Sequence, residues 1–564
     1  MKITPNLGNR KSALVLRVIA GILSIISFQN FSSADAGPYI QSFSPTSGPV
    51  GTVITVLGSG FTGTTSAGLA PHLKGLTFQV ITDSEIKLTI TEGEESGQID
   101  ITNPFGTSFS PVEFAITCNP SIYVGSDASG VKRFYLDGTA FVPIGVNYLI
   151  EGQGTLNGVT YNTFDMFDTQ KFSLSTIDQN MQLIAGKGFN YVRLFLKGVD
   201  TDNGFSAGSS NGSFNPVTWD KYVSNIATTI QVAEKYGLHV VLTGVFNTDD
   251  MWVPASYLPP ASTLPPVTAI SGWNRLMLIP QIGQALGQFY HDLLTGLVAK
   301  DPNIGKGIFY FDIYTEVRYD LNKVPLSQNT GTFTYNSTTY DLSDFNSNDA
   351  ADSTSRQALM DRATQDFTQM VTDKVKGVLP QVLVASSSFY NAGFGHLGFD
   401  GGILSSHTPN YIAMRPYYVL KGGADLIDIH TYPSPGFDLR AVTDLDANEL
   451  IPVNSSAKTA TTIDATLTPL IAGEFGAYPV LYGVTKNSTQ AEYTDALETA
   501  LAEMQATEKS AFCNFDFSGY GVWSWNGVSD TFTLDAPTTD PGYLYMKLLA
   551  PKYTPTFCGE KISQ

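Results

Sequence analysis

Two glutamates in this chain stand where an apolar run stops. Leu470-Ile471-Ala472 leads through Gly473 to Glu474, and Gly307 to Tyr314 leads through Thr315 to Glu316. Runs of this kind fill strands buried on both faces of a parallel sheet. Glycine at 473 lets the backbone turn without a Cβ penalty, so Glu474 is expected where its strand ends. One carboxylate in such a place reads as a loop cap, whereas two at strand ends that face one cavity read as chemistry. A pair flanking a glycosidic bond is what retaining hydrolysis requires: one carboxyl protonates the leaving oxygen and the other attacks the anomeric carbon. The acid then needs a raised pKa, from burial or from its partner's charge, and the nucleophile needs hydrogen bonds that favour its ionised form.

The elements that would hold this pair recur from residue 141 onward. Eight short apolar runs are read as strands: Phe141–Tyr148, Tyr191–Leu196, His239–Val245, Ile308–Tyr314, Gln381–Ser386, Leu426–His430, Leu470–Gly473 and Gly521–Trp525. Stretches of helical spacing lie between several of them. Tyr222 to Tyr236 has apolar residues at 222, 226, 230, 233 and 236, and Gln284 to Val298 and Arg356 to Val378 behave alike. This alternation predicts an α/β fold, a (β/α)8 TIM barrel, with long insertions at 249–266 after strand 3 and 322–349 after strand 4. Loops after the strands line the catalytic face of such barrels, so the insertions are either cleft walls or surface loops. In this arrangement strands 4 and 7 end across the mouth from each other, and Glu316 and Glu474 can share a cavity.

Residues 37–117 have a different rhythm. Short alternating runs such as Val53 to Gly58, Glu85 to Ile90 and Gly97 to Asn103 are divided by glycine turns, which predicts a small β-sandwich. Its Pro38-Tyr39-Ile40, Ser44-Pro45-Thr46-Ser47-Gly48-Pro49-Val50-Gly51-Thr52 and Gly58-Ser59-Gly60-Phe61 resemble an IPT/TIG immunoglobulin-like domain. That resemblance implies a spacer or binding module without catalytic residues. Cys118-Asn119-Pro120 reads as the boundary, so 118–564 is the second domain, opening with a hairpin around Asp127-Ala128-Ser129-Gly130.

The second domain resembles the clan A glycoside hydrolases, nearest to the family 5-like enzymes, at several strand ends together. These are Gly145-Val146-Asn147-Tyr148, Asn190-Tyr191-Val192-Arg193-Leu194, Asp428-Ile429-His430-Thr431-Tyr432, Gly473-Glu474-Phe475-Gly476 and Gly521-Val522-Trp523-Ser524-Trp525. The resemblance implies Glu316 as acid/base, Glu474 as nucleophile and Arg193 as its electrostatic support. It also implies His430 and Tyr432 as orienting neighbours, Asn147, Thr315 and the others as substrate contacts, and Trp525 as the stacking platform for a sugar. Strand alternation puts Trp523 and Trp525 on the same face, so either indole reads as platform or as wall. Two places depart from the family pattern. Thr315 stands where an asparagine holds the sugar 2-hydroxyl, and no histidine follows strand 3, where Asn247, Asp249, Asp250 and Trp252 stand instead. A transglycosylase with the same two glutamates, or a non-catalytic carbohydrate-binding protein on a degenerate barrel, is the alternative reading.

Composition narrows the class further. A net charge of -19 over 564 residues lacks the basic footprint that nucleic acid requires and suits a neutral glycan partner. The three cysteines, Cys118, Cys513 and Cys558, exclude a disulfide scaffold and a cysteine metal site, and leave three possible pairings. Neither metal nor cofactor is expected, since the histidines 72, 239, 291, 396 and 407 form no ligand pattern. Lys2, Arg10, Lys11 and Arg17 precede an apolar stretch from Val18 to Phe28 and then Ala34-Asp35-Ala36, the layout of a signal peptide over 1–36. An uncleaved anchor is the competing reading of that stretch. Export, with no membrane span in the mature chain, is therefore expected for an enzyme of polysaccharide degradation. Gly204-Phe205-Ser206-Ala207-Gly208 fits a nucleophile elbow only as a string, and Asp444 to Glu449 lacks calcium-loop spacing.

Overall fold

The computed structural model describes residues 37–525, apart from 49–51, 92–95, 117–121, 150–153, 162–165, 197–214, 245–255, 345–353, 390–410, 433–449, 457–460, 478–481 and scattered breaks of one or two residues. The expected signal peptide, Asn247 to Trp252, the 204–208 and 444–449 strings, Cys118 and Cys558 lie outside the described residues. Cys513 is disulfide-bonded. Among the described residues no helix is long and apolar enough to cross a membrane. The chain divides into two compact units, Met1–Asn119 and Pro120–Gln564.

The first unit is a sandwich of two mainly antiparallel sheets. One runs in the order Tyr39–Ser44, Val53–Ser59, Glu85–Thr89, Thr77–Thr82; the other in the order Ser47–Gly48, Gly106–Ile116, Gly97–Asn103, Ser66–Ala70, His72–Gly75. Alternate residues point inward, so Ile54, Val56, Ile86, Leu88, Ile99, Ile101 and Phe114 make one core.

The second unit is an eight-stranded parallel barrel. Its strands are β1 Ile144–Asn147, β2 Tyr191–Phe195, β3 His239–Thr243, β4 Ile308–Asp312, β5 Leu383–Ala385 continued by Ser388–Phe389, β6 Ile427–Thr431, β7 Leu470–Gly476 and β8 Gly519–Trp523. They pair in the order 5-4-3-2-1-8-7-6, and β6 returns to the continuation of β5, which closes the ring. Every one of the eight expected places holds a strand. The ends differ: β4 stops at Asp312, short of Glu316, while β7 runs on to Gly476 and so contains Glu474.

Among the described residues five longer helices pack outside the barrel: α1 Leu174–Gly186, α2 Pro216–Lys235, α3 Pro280–Lys300, α4 Arg356–Val378 and α5 Gln490–Phe515. Their starts follow from local chemistry. Asn215 accepts from the amides of Val217 and Thr218 ahead of a proline-led α2, Ser355 accepts from Ala358, and Thr489 and Glu492 form a capping box. The lower end of the barrel is shut by the sheet Ile122–Ser126, Lys132–Leu136, Thr139–Phe141. Phe134 and Phe141 stand edge-on to Phe309 at 4.9 and 5.5 Å, over a cluster with Tyr191, Tyr310 and Ile471. The opposite end is therefore where a cavity can open. The insertion after β4 is packed over 322–344. A hairpin, Thr332–Tyr335 with Thr338–Asp341, buries Tyr335, Tyr340 and Leu342, and the buried Arg356 donates to the carbonyls of Leu326, Gln328 and Leu342.

Candidate active site

Arg193 organises the open end of the barrel. It leaves β2 fully buried, and its guanidinium reaches across the interior to both sides. Nη1 donates to Glu474 Oε1 and to Asn147 Oδ1 (3.1 Å); Nη2 donates to Asp312 Oδ2 (2.7 Å) and Thr315 Oγ1 (3.1 Å). Burial opposes that charge, but Glu474, Asp312 and Asp428 outweigh it, and the group is held well above its ordinary value. A buried cation needs such partners to be tolerated at all. Asp312 is fixed in turn, since the Ser387 amide donates to Oδ1 (2.9 Å) and the Ser387 hydroxyl to Oδ2 (2.8 Å).

Glu474 is buried, and both of its oxygens are engaged. Oε1 takes the guanidinium, and Oε2 accepts from the Tyr432 hydroxyl at 2.5 Å. Glu316 lies four residues past the end of β4, in the left-handed region at φ 54°, with 27% of its side chain exposed. Burial pushes its carboxyl up to about 7, with Arg193 and Arg318 pulling the other way. His430 Nδ1 is 3.0 Å from Glu316 Oε1 and 3.3 Å from Glu474 Oε2. Burial lowers this imidazole to about 4 against the pull of Glu474, so it is neutral near pH 7. The proton of this neutral ring is assigned to Nδ1, where it can be donated to either carboxyl group, because a lone pair there would face the Glu474 carboxylate. One N–H thus ties the two glutamates together, and a ligand atom from each of Glu316, His430 and Glu474 lies within 4.8 Å of the others. Such a trio can hold a metal ion in principle. Here Arg193 and Tyr432 already occupy Glu474, and the adjacent guanidinium opposes a second cation.

The sequence-derived residues divide into two groups. Glu316, Glu474, Arg193, Asn147, Thr315, His430 and Tyr432 meet in one connected network, and Trp525 stands outside it. Asn147 corrects its expectation as a substrate contact: it is fully buried, Nδ2 donates to the Gly473 carbonyl (3.0 Å), and Oδ1 is taken by Arg193. Thr315 is 2% exposed, and its hydroxyl accepts from Arg193 rather than standing open to a sugar. Trp525 also differs. β8 ends at Trp523, so the alternation that would align the two indoles does not continue. Trp525 is 1% exposed in the main core, with no ring face open as a platform, while Trp523 packs edge-on to Phe195 and Tyr432.

Asp312, Ser387 and Asp428 had no place in the sequence reading. Asp312 and Asp428 carried a signal, because each is the one acid of a fully buried strand, where a charge needs a partner. Asp428 is fully buried and pushed up to about 7 by that burial, with Arg193 opposing and Asp312 adding to the rise.

Residues 38–116 match the IPT/TIG domain family. No curated protein matches the chain in sequence. Among solved structures, the chain is similar to an exo-beta-1,4-mannosidase from Opitutaceae bacterium strain TAV5, at 17% identity and TM-score 0.41, covering 76% of this chain and 58% of that one. It is similar to an endo-1,4-beta-mannanase from Rhizomucor miehei at 15% identity and TM-score 0.41, covering 74% of this chain and 93% of that one. A beta-1,4-D-mannanase from Cryptopygus antarcticus matches at 14% identity and TM-score 0.40, covering 76% of this chain and 94% of that one. The barrel assignment rests on the strand order and pairing above rather than on these likenesses.

Proposed function

We propose that this protein is a retaining glycoside hydrolase acting on β-linked poly- or oligosaccharides outside the cytoplasm. The observation that carries the reading is the short gap between two unlike glutamates, with carboxyl oxygens of Glu316 and Glu474 within 4.8 Å. Inverting enzymes separate their carboxyl groups by about 6.5–9.5 Å to seat a water between them, and retaining ones by about 5–5.5 Å. Carboxyl oxygens this close support the retaining arrangement over the inverting one.

Glu474, surrounded by donors, attacks the anomeric carbon while the protonated Glu316 gives its proton to the leaving oxygen, and a glycosyl ester forms on Glu474. Glu316, now ionised, takes a proton from water, which attacks the same carbon and releases Glu474. Arg193 and Tyr432 hold the nucleophile in place and balance its charge throughout. His430, neutral, donates its one N–H to whichever carboxylate is the more negative. Each residue returns to its starting state, and the chain's own side chains supply every proton transfer.

A panel of glucans, mannans, xylans and galactans, with products resolved by anomer, tests the reading. Release of the anomer matching the substrate bond is expected. Inverted products, or no cleavage of any β-glycan by the full chain, would overturn it.

A further inference from the structure

The strand that carries Glu474 has one residue more than either neighbour. Asp428 pairs with Ile471 and His430 with Glu474, so two steps on β6 span three on β7. Against β8, Ala472 pairs with Tyr520 and Phe475 with Val522, which is the same excess. The extra residue changes which way the side chains face. Ile471 lies in the cluster at the lower end of the barrel interior. Ala472 and Phe475, three apart, both line the seam against α5 with Thr507, Glu508 and Ala511. Strict alternation would put 472 and 474 on one face, turning Glu474 toward the helices. The bulge breaks that parity, and Glu474 enters the barrel.

A bulge takes backbone groups out of the ladder, and buried ones need other partners. Gly473 finds them in side chains. Its N–H donates to Asp428 Oδ1 at 2.8 Å, and its carbonyl accepts from Asn147 Nδ2 at 3.0 Å. The second oxygen of Asp428 accepts from the Tyr310 hydroxyl at 2.8 Å, so the carboxyl is held from both ends. The contact is also tight: a Cβ on Gly473 would stand 2.2 Å from Asp428 Oδ1. The glycine before Glu474 is therefore required by this close approach. It is absent from the glycines with positive φ, so the expected turn is not its reason.

We propose that Asp428 is a positioning residue for Glu474, holding the Gly473 bulge that aims the nucleophile into the barrel. The proposal rests on the reading of Glu474 as nucleophile. Asp428 acts through the Gly473 amide and through no contact of its own with substrate. Three variants of the full chain, Asp428→Ala, Asp428→Asn and Gly473→Ala, test it by kcat and KM on whichever β-glycan the wild type cleaves. Asp428→Ala is expected to lose about 10²-fold in kcat with KM little changed, the usual cost of an ångström of misplacement. Asp428→Asn keeps an oxygen for the Gly473 amide and recovers at least tenfold of that loss. Gly473→Ala, which drives a methyl into the carboxyl, falls with Asp428→Ala. Crystal structures of the folded variants read the same point without activity: Glu474 is displaced in Asp428→Ala and unmoved in Asp428→Asn. An Asp428→Ala protein with wild-type kcat or an unmoved Glu474 would overturn the proposal, as would an Asp428→Asn protein as impaired as Asp428→Ala. If Asp428→Ala does not fold, a near-wild-type Asp428→Asn beside an impaired Gly473→Ala sustains it, and wild-type kcat in both sinks it. A wild type inert on every glycan would refute the enzyme reading alone, since the structures still decide whether Asp428 places Glu474.

Discussion

Glu474 sits inside a strand, buried, with a guanidinium on one oxygen and a phenol on the other; Glu316 sits in a turn past the end of its strand, a quarter exposed, with a neutral imidazole as its hydrogen-bond partner. The same side chain thus meets two environments within 4.8 Å, one rich in donors and the other dominated by desolvation. Under the proposed mechanism the difference divides the labour: donors suit the group that would attack, and desolvation suits the group that would arrive protonated. Backbone conformation follows the division. Glu316 adopts a left-handed conformation that costs of order 1–3 kcal/mol for a non-glycine residue, a strain that persists where surrounding structure imposes it and often at functional sites.

The sharpest way to break this comparison is to remove each charge in turn. Glu474→Gln is expected to lower kcat by on the order of 10⁴–10⁶-fold on any substrate, as loss of a covalent nucleophile does. Glu316→Gln is expected to cost about 10²–10⁴-fold on a natural glycan. That loss shrinks on an aryl glycoside whose phenolate leaves without a proton. Steady-state rates on both substrate types check the pair. Equal losses that ignore the leaving group would mean that the two glutamates do not have separate roles.

The pH profile probes the same asymmetry with a smaller effect. In the proposed mechanism Glu316 must be protonated to act first, and burial pushes its carboxyl up to about 7. Accordingly kcat/KM should fall about tenfold per pH unit as pH rises beyond about 7, because the free enzyme loses its acid. His430, lowered to about 4, stays neutral through this range and adds no limb of its own. Glu316→Gln should lack the alkaline limb. A limb that survives the substitution belongs to another group.

The outline of this site was legible because it depends on periodicity and on residue types that physics rarely places together. Apolar runs located all eight strands, and glutamates at the ends of two of them stood out against their surroundings. Arg193, His430 and Tyr432 came from the family resemblance of their strand-end motifs rather than from periodicity. The bulge at Gly473 was not. Leu470, Ile471, Ala472 and Gly473 suit either face of a doubly buried strand, so the run carries no parity from which a one-residue excess could be read. The same lack hid the true partner of Asn147, which is the backbone that the bulge exposes. The platform role of Trp525 came from the family resemblance alone, and nothing in its residue type shows that β8 stops two residues earlier, at Trp523. Asp312 and Asp428 could have been singled out as lone acids in buried strands, but their partners, Arg193 and the Gly473 amide, come from strands far off in sequence.

Glu508 supplies the control that keeps a raised pKa from being mistaken for a role. It lies on α5, 5% exposed, and burial alone pushes it up to about 9, further than Glu316. Yet it faces the seam behind β7, among Ala472, Phe475 and Phe512, on the side of the strand away from Arg193. Its folded value lies above the unfolded 4.5, so the folded protein must keep a proton that the unfolded chain releases. This penalty is absent below about pH 4, grows as pH rises, and reaches about 3 kcal/mol at pH 7. Glu508→Gln should therefore raise unfolding free energy at pH 7 by up to about 3 kcal/mol relative to its effect at pH 4, leaving kcat as it was. Denaturant unfolding at the two pH values measures the first claim and initial rates the second. A Glu508→Gln enzyme with lost activity and unchanged stability would place chemistry behind the barrel wall and undo the contrast drawn between its glutamates.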